Sequence, residues 1–135
     1  RLRMSLNVAK IDKNQIQISA AAMPPTYLFN AKSNVCEEIM IEGLPLGGLK
    51  NEKFTMLKKK FQKGDVLVML SDGLPEASNE DKEMYDYDRI KQLISKNHLK
   101  EPKEIKKEMF ESLNEWINGG VPEDDVTLVI VKKVA

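Results

Sequence analysis

The sequence predicts an α+β domain in which antiparallel strands come first, two amphipathic helices follow, and one strand closes the chain. Three observations carry this. Short alternating or apolar stretches broken by turn residues run from residue 2 to residue 70. Apolar residues at helical spacing then occupy 87–97 and 105–117. A last apolar run, 126–132, follows Gly119-Gly120. Strands, then helices, then a strand place the chain in the α+β class, with the helix pair covering a sheet face.

Taken in order, residues 2–11 alternate Leu2, Met4, Leu6 and Val8 with polar partners, the pattern of a half-buried strand. The turn Asp12-Lys13-Asn14-Gln15 leads into Ile16, Ile18 and Ala20 at the same period, completing a hairpin. Pro24-Pro25 stops the ladder, because proline donates no backbone N–H. Residues 26–29 and 35–42 read as strands around the turn Ala31-Lys32-Ser33-Asn34. A glycine-bounded loop, 43–48, precedes an edge strand at 54–57 that ends in Lys58-Lys59-Lys60, where the charges guard the edge. Residues 66–70 are apolar on both faces and so predict a central strand. The short connections predict an antiparallel meander. Asp86 is placed to cap a helix over 87–97 with Ile90, Leu93 and Ile94 inward. Pro102 suits the first turn of a second helix, which Gly119-Gly120 end.

At 135 residues, with 41% hydrophobic and 31% charged residues, the chain is sized and composed like one globular domain. Lys plus Arg and Asp plus Glu both number 21, which gives no support to nucleic-acid or membrane-surface binding. No apolar run approaches the ~18 residues of a spanning helix. One cysteine, Cys36, excludes an internal disulfide and is compatible with a reducing compartment. One histidine, His98, at a helix end beside basic residues, gives no zinc site and no Cys–His nucleophile pair. The chain opens Arg1-Leu2-Arg3, already in strand-like alternation and without a starting methionine, which suggests a piece of a longer protein.

Two acidic motifs remain, each beside an apolar strand. The first is Ser71-Asp72-Gly73-Leu74-Pro75-Glu76-Ala77 after the central strand; the second is Glu123-Asp124-Asp125 before the last strand. Each alone is an ordinary turn. If the two strands are neighbours, Asp72 and Asp124 converge at one sheet end. Two carboxylates a few Å apart repel each other, and a hard divalent cation relieves that repulsion.

The order of these motifs resembles the SpoIIE-type, RsbU-like branch of the metal-dependent PPM/PP2C serine/threonine phosphatases. Gly64-Asp65, Ser71-Asp72-Gly73 with Glu76-Ala77, and Asp124-Asp125-Val126-Thr127-Leu128 carry the resemblance. So does Gly43-Leu44-Pro45-Leu46-Gly47, and residues 20–25 stand where the branch usually has Ala-Gly-His-x-Pro. The resemblance implies part of an α/β/β/α sandwich of two antiparallel sheets flanked by helices. It implies two Mn²⁺ or Mg²⁺ ions, with Asp72 and Asp124 as metal ligands, and no catalytic group in this chain beyond them. Asp125 then orients the loop, Gly73 allows close backbone approach, and Glu76 matches the motif without an assigned role. The implied substrate is a phosphoserine or phosphothreonine protein, such as a bacterial anti-anti-sigma (STAS-type) factor, and the implied location is cytoplasmic.

Two departures qualify it. Ala22-Met23 replace the usual Gly-His, and the Gly-Asp-x-x-Asp and Asp-x-Ser-Gly-x-Gly motifs of the family's N-terminal half are absent. Residues 1–135 therefore read as the C-terminal portion of one phosphatase domain, inactive alone and inclined to self-associate through uncovered edges and faces. The rival reading is a pseudo-phosphatase that binds a partner without catalysis.

Overall fold

The computed structural model describes residues 2–135, which form seven strands and two helices in two antiparallel sheets. In the first sheet, β1 (Leu6–Asp12) and β2 (Gln15–Ala21) make a hairpin whose register, Asp12 opposite Gln15, leaves a two-residue turn. Lys13 takes a positive φ of 47° in that turn. Strand β3 (Thr26–Asn30) and strand β4 (Val35–Ile39) form a second hairpin in the other sheet. Strand β5 (Met56–Lys60) returns to pair with β2. Strand β6 (Val66–Leu70) joins the second sheet between β3 and the last strand, β7 (Leu128–Lys132). The sheet orders are β1-β2-β5 and β4-β3-β6-β7.

The connections are thus not those of a simple meander: the chain changes sheets after β2, after β4 and after β5. Pro24-Pro25 explains the first change, since a ladder cannot extend through them. The loop around residues 43–48 carries the chain back.

Strand β1 shows the expected alternation with the opposite face inward. Leu2, Met4, Leu6 and Val8 are 95%, 55%, 39% and 49% exposed, while Asn7 and Ala9 are half-buried. Register decides this. Ala9 lies opposite Ile18 and Asn7 opposite Ala20, both of which face the other sheet, so Val8 falls opposite Ser19 and points away.

Two apolar cores result. Ile16, Ile18, Leu28, Ile39, Phe61 and Leu67 fill the space between the sheets. Tyr27, Phe29, Val66, Val68 and Leu70 face the helices, which contribute Ile90 and Ile94 from α1 (Tyr87–Asn97) and Ile105, Met109 and Leu113 from α2 (Pro102–Trp116). Strand β6 supplies both cores, as a central strand does, and each such aliphatic side chain contributes roughly 1.5–3 kcal/mol on burial. The Asp86 carboxylate accepts the Tyr87 N–H at 2.6 Å at the start of α1. Pro102 opens α2, and the Gly119 N–H donates to the Asn114 carbonyl at 3.0 Å, with φ 74°, at its end.

The Gly64-Asp65 motif is a structural lock. Asp65 is buried, and its carboxylate accepts the N–H groups of Ala31 and Gln62 at 2.8 and 2.7 Å. Gly64 has φ 92°, and a side chain there would meet the Ala31 methyl. Lys59 of the lysine run reaches across the sheets to Glu37, while Lys58 and Lys60 stay exposed on edge strand β5. Cys36 is a buried core residue, its thiol pushed up to about 11 by burial. His98 caps α1, stacks on Phe29 at 4.2 Å and bonds the Ser95 carbonyl through Nδ1.

Candidate active site

Because β6 and β7 pair antiparallel with Leu70 opposite Leu128, the residues after β6 and those before β7 meet at one sheet end. Ser71 joins them. Its N–H donates to the Thr127 carbonyl at 3.0 Å, its hydroxyl donates to the Asp125 carbonyl at 3.0 Å, and the same hydroxyl accepts the Thr127 N–H at 2.9 Å. Gly73 lies against the second motif. A Cβ there would stand 2.3 Å from the Asp125 carbonyl oxygen and 3.1 Å from that of Asp124. The turn then closes on itself, with the Glu76 N–H donating to the Asp72 carbonyl at 3.0 Å. Asp124 is oriented by its neighbour, the Asp125 N–H donating to Asp124 Oδ1 at 2.7 Å.

The sequence-predicted residues are therefore brought together: Asp72-Gly73 on one loop, Asp124-Asp125 on the other. The side chains of Asp72, Glu76, Asp124 and Asp125 are all exposed. Gly73, Glu76 and Asp124 line one cleft of about 440 Å³ with Ala77, Ser78, Met84 and Glu123. The Tyr87 phenol at the start of α1 is pushed up by burial first and then by the charges of Glu76 and Asp72. Ser71 belongs to the first acidic motif, but its stapling role follows only from the pairing of β6 with β7.

The loop between β6 and α1 is held firmly. Asn79 accepts the Glu83 N–H at 2.9 Å and donates to the Glu83 carboxylate at 3.1 Å, so it shapes a turn. Trp116 Nε1 donates to the Ala77 carbonyl at 3.2 Å, under the Arg89 guanidinium 4.0 Å from the indole centroid. The Tyr85 hydroxyl meets Ser112 at 2.7 Å. The turn at 22–25 comes to the same sheet end, because β3 starts where β6 finishes. There Ala22 holds a left-handed φ of 51°, and Met23 packs against the inter-sheet core.

Asp72 and Asp124 are hard oxygen donors of the kind Mg²⁺ and Mn²⁺ take. Their number is short of a complete cage. Among the described residues, no group of three or more His, Cys, Asp or Glu could hold a metal ion. The donor set fits the implied ions in kind and leaves them incompletely held. Among the described residues, no helix is long and apolar enough to cross a membrane.

Two antiparallel sheets with the helix pair on one of them are the arrangement of PP2C-type phosphatase domains. The family model for Stage II sporulation protein E (SpoIIE) matches residues 3–134, and the chain belongs to that family. It is similar to the phosphoserine phosphatase RsbU of Bacillus subtilis (strain 168), 25% identical over 123 residues, which is 91% of this chain and 36% of RsbU. The chain thus spans about a third of that curated relative. Its fold matches the Mn-presoaked phosphatase domain of the cell fate determinant SpoIIE from Bacillus subtilis with a TM-score of 0.75 at 20% identity, covering 96% of this chain and 56% of that one. It also matches the catalytic domain of the serine/threonine protein phosphatase PstP in complex with two manganese ions, with a TM-score of 0.66 at 18% identity, covering 97% and 59%.

Proposed function

We propose that residues 1–135 are the C-terminal portion of a metal-dependent phosphoprotein phosphatase domain. Asp72 and Asp124 are then two ligands of a centre that takes two Mn²⁺ or Mg²⁺ ions. The observation that carries this is the Ser71 staple, which fixes the Asp72-Gly73 and Asp124-Asp125 loops side by side in a member of the SpoIIE family. When bound, the ions acidify a water for attack on phosphorus and neutralise phosphate charge. The chain's own residues hold position. Ser71 and Gly73 set the loop spacing, and the Asp125 N–H orients the Asp124 carboxylate. Glu76 faces the same cleft and adds negative charge to it.

The substrate in this reading is a phosphoserine or phosphothreonine side chain of a bacterial regulatory protein, a STAS-type factor being the class the resemblance implies. The similarity to RsbU, a phosphoserine phosphatase, supports it. The setting is cytoplasmic. With two carboxylates in place of a full ligand set, the 135-residue chain alone is inactive or nearly so.

The test is Mn²⁺-dependent phosphate release from a phosphoserine protein by a chain extended upstream by about one hundred residues, enough for an ordinary domain. Activity lost in Asp72→Asn and Asp124→Asn, with melting temperature held, supports the reading. A second reading, a partner-binding pseudo-phosphatase, is favoured by Met23, which is apolar and packed where the resemblance implies the usual Gly-His. A folded extended chain that binds a phosphoprotein and releases no phosphate decides for it.

A further inference from the structure

We infer that the cleft holding Asp124 continues past Met84 into a second cleft, which seats a basic residue of the substrate protein a few positions from its phosphoserine. This rests on the phosphatase reading above and adds a substrate preference to it, set by Glu83, Met84 and Asp88. The second cleft, of about 430 Å³, lies between the loop before α1 and the ends of both helices. Glu83, Met84, Asp86, Asp88, Arg89 and Trp116 line it. Met84 also lines the cleft of Gly73 and Asp124, so its side chain is the ridge between the two. That ridge is 58% exposed, and its backbone is pinned by an antiparallel bridge to Ser78. A continuous path therefore runs from Gly73 and Asp124, over one apolar step, to the first turn of α1.

The charges along that path say what it takes. Residues 72–88 carry seven carboxylates and one cation, Lys82, in a chain whose net charge is zero. Among the described residues, none of these carboxylates makes an ion pair. The cation that lines the second cleft, Arg89, sits over Trp116, 4.0 Å from the ring centroid. Glu83 accepts from the Asn79 amide and Asp86 from the Tyr87 N–H, both neutral donors, so their charge stays uncompensated. A phosphoserine, at about −1.5 to −2, is repelled by such a wall. A lysine or arginine near the phosphoserine turns that repulsion into attraction. Its aliphatic stem lies over Met84 while its charged head reaches Glu83, Asp86 and Asp88. An extended peptide advances about 3.3 Å per residue, so it passes one side chain in about two to four residues, which sets where the basic residue falls.

The test uses the chain extended upstream and two phosphoserine peptides, one with arginine and one with glutamate about three residues to either side of the phosphoserine. Binding is read by fluorescence anisotropy with the non-hydrolysable phosphonate forms of both peptides, and phosphate release is read separately with Mn²⁺. The arginine peptide is expected to bind at least about tenfold tighter at low salt, the preference shrinking as salt screens the carboxylates. Glu83→Gln combined with Asp88→Asn is expected to remove most of that preference. Both side chains are exposed, and circular dichroism confirms that the fold survives. Should the double variant melt, Asp88→Asn alone is expected to lower the preference about threefold. Asp12→Asn, at the end of β1 away from the site, is expected to leave it unchanged. Preferential binding of the arginine peptide without phosphate release overturns the phosphatase reading and supports the basic-residue seat. Phosphate release from both peptides with equal kcat/KM and equal binding overturns the seat alone. A preference that survives the double variant, or that Asp12→Asn removes as well, also overturns it, as does the absence of binding by either peptide.

Discussion

Replacing Gly73 with alanine asks whether the two acidic loops are held together by backbone contact. A Cβ at residue 73 would stand 2.3 Å from the Asp125 carbonyl oxygen, 2.9 Å from its carbon and 3.1 Å from the Asp124 carbonyl oxygen. All three atoms are backbone, so no side chain can swing aside. The loops must separate, which strains the Ser71 hydrogen bonds to Asp125 and Thr127. Overpacking of this kind costs about 1–3 kcal/mol. For 135 residues the unfolding entropy is about 0.28 kcal/mol/K, so a cost of about 2 kcal/mol lowers Tm by about 7 °C. Gly119→Ala is the control. A Cβ there meets nothing within 4 Å, and its cost is the positive φ of 74° alone, about 1 kcal/mol. Calorimetry gives the two Tm values, and hydrogen exchange reports on the Ser71 and Thr127 amides. A Gly73→Ala shift no larger than that of Gly119→Ala, with exchange at Ser71 and Thr127 unchanged, refutes the reasoning.

Other consequences follow from single residues. Ala22→Gly relieves a left-handed alanine, and after the entropy that glycine loses on folding it is expected to stabilise by about 1 kcal/mol, read as a higher urea midpoint. Asp65→Ala leaves the Ala31 and Gln62 N–H groups without their acceptor and is expected to cost about 3 kcal/mol by urea unfolding. Cys36 is buried with its thiol pushed up to about 11, so alkylation at pH 8 is expected to be about 100-fold slower than in urea-unfolded chain. The sign of its pH effect follows from burial favouring the neutral thiol. Stability from Cys36 is intact below the ordinary thiol value near 9 and is lost as pH rises from there through about 11, which alkaline urea titrations resolve against Cys36→Ala.

Much of the fold was legible because local rules and tertiary packing agreed. The helix over 87–97 matched in both bounds, since Asp86 caps it and Ile90 and Ile94 fall on one face. Strand β6 read as central because it is apolar on both sides, and it feeds both cores. Strand β1 was misread in its face, since alternation fixes which residues share a side and only pairing to β2 fixes which side is inside. The sheet order was not legible, because β5 skips β4 to reach β2, and nothing local to residues 54–60 encodes that choice. At the site, Asp72 and Asp124 stood out through their motifs. Glu76 gained a place only when the loop between β6 and α1 was seen to turn its side chain into the same cleft as Asp124. Asp65 stood in a motif too, and both it and Asn79 serve as local locks.

The central proposal is that Asp72 and Asp124 belong to one metal centre. Titrating the 15N-labelled chain with substoichiometric Mn²⁺ tests it most directly, because a paramagnetic ion broadens nearby amide signals even when it binds weakly. The account predicts that the amides at 71–73 and 124–126 broaden together, and that Asp72→Asn or Asp124→Asn removes both effects at once. Broadening that centres on the acidic turn at 80–83, or that persists around Asp124 after Asp72→Asn, contradicts it.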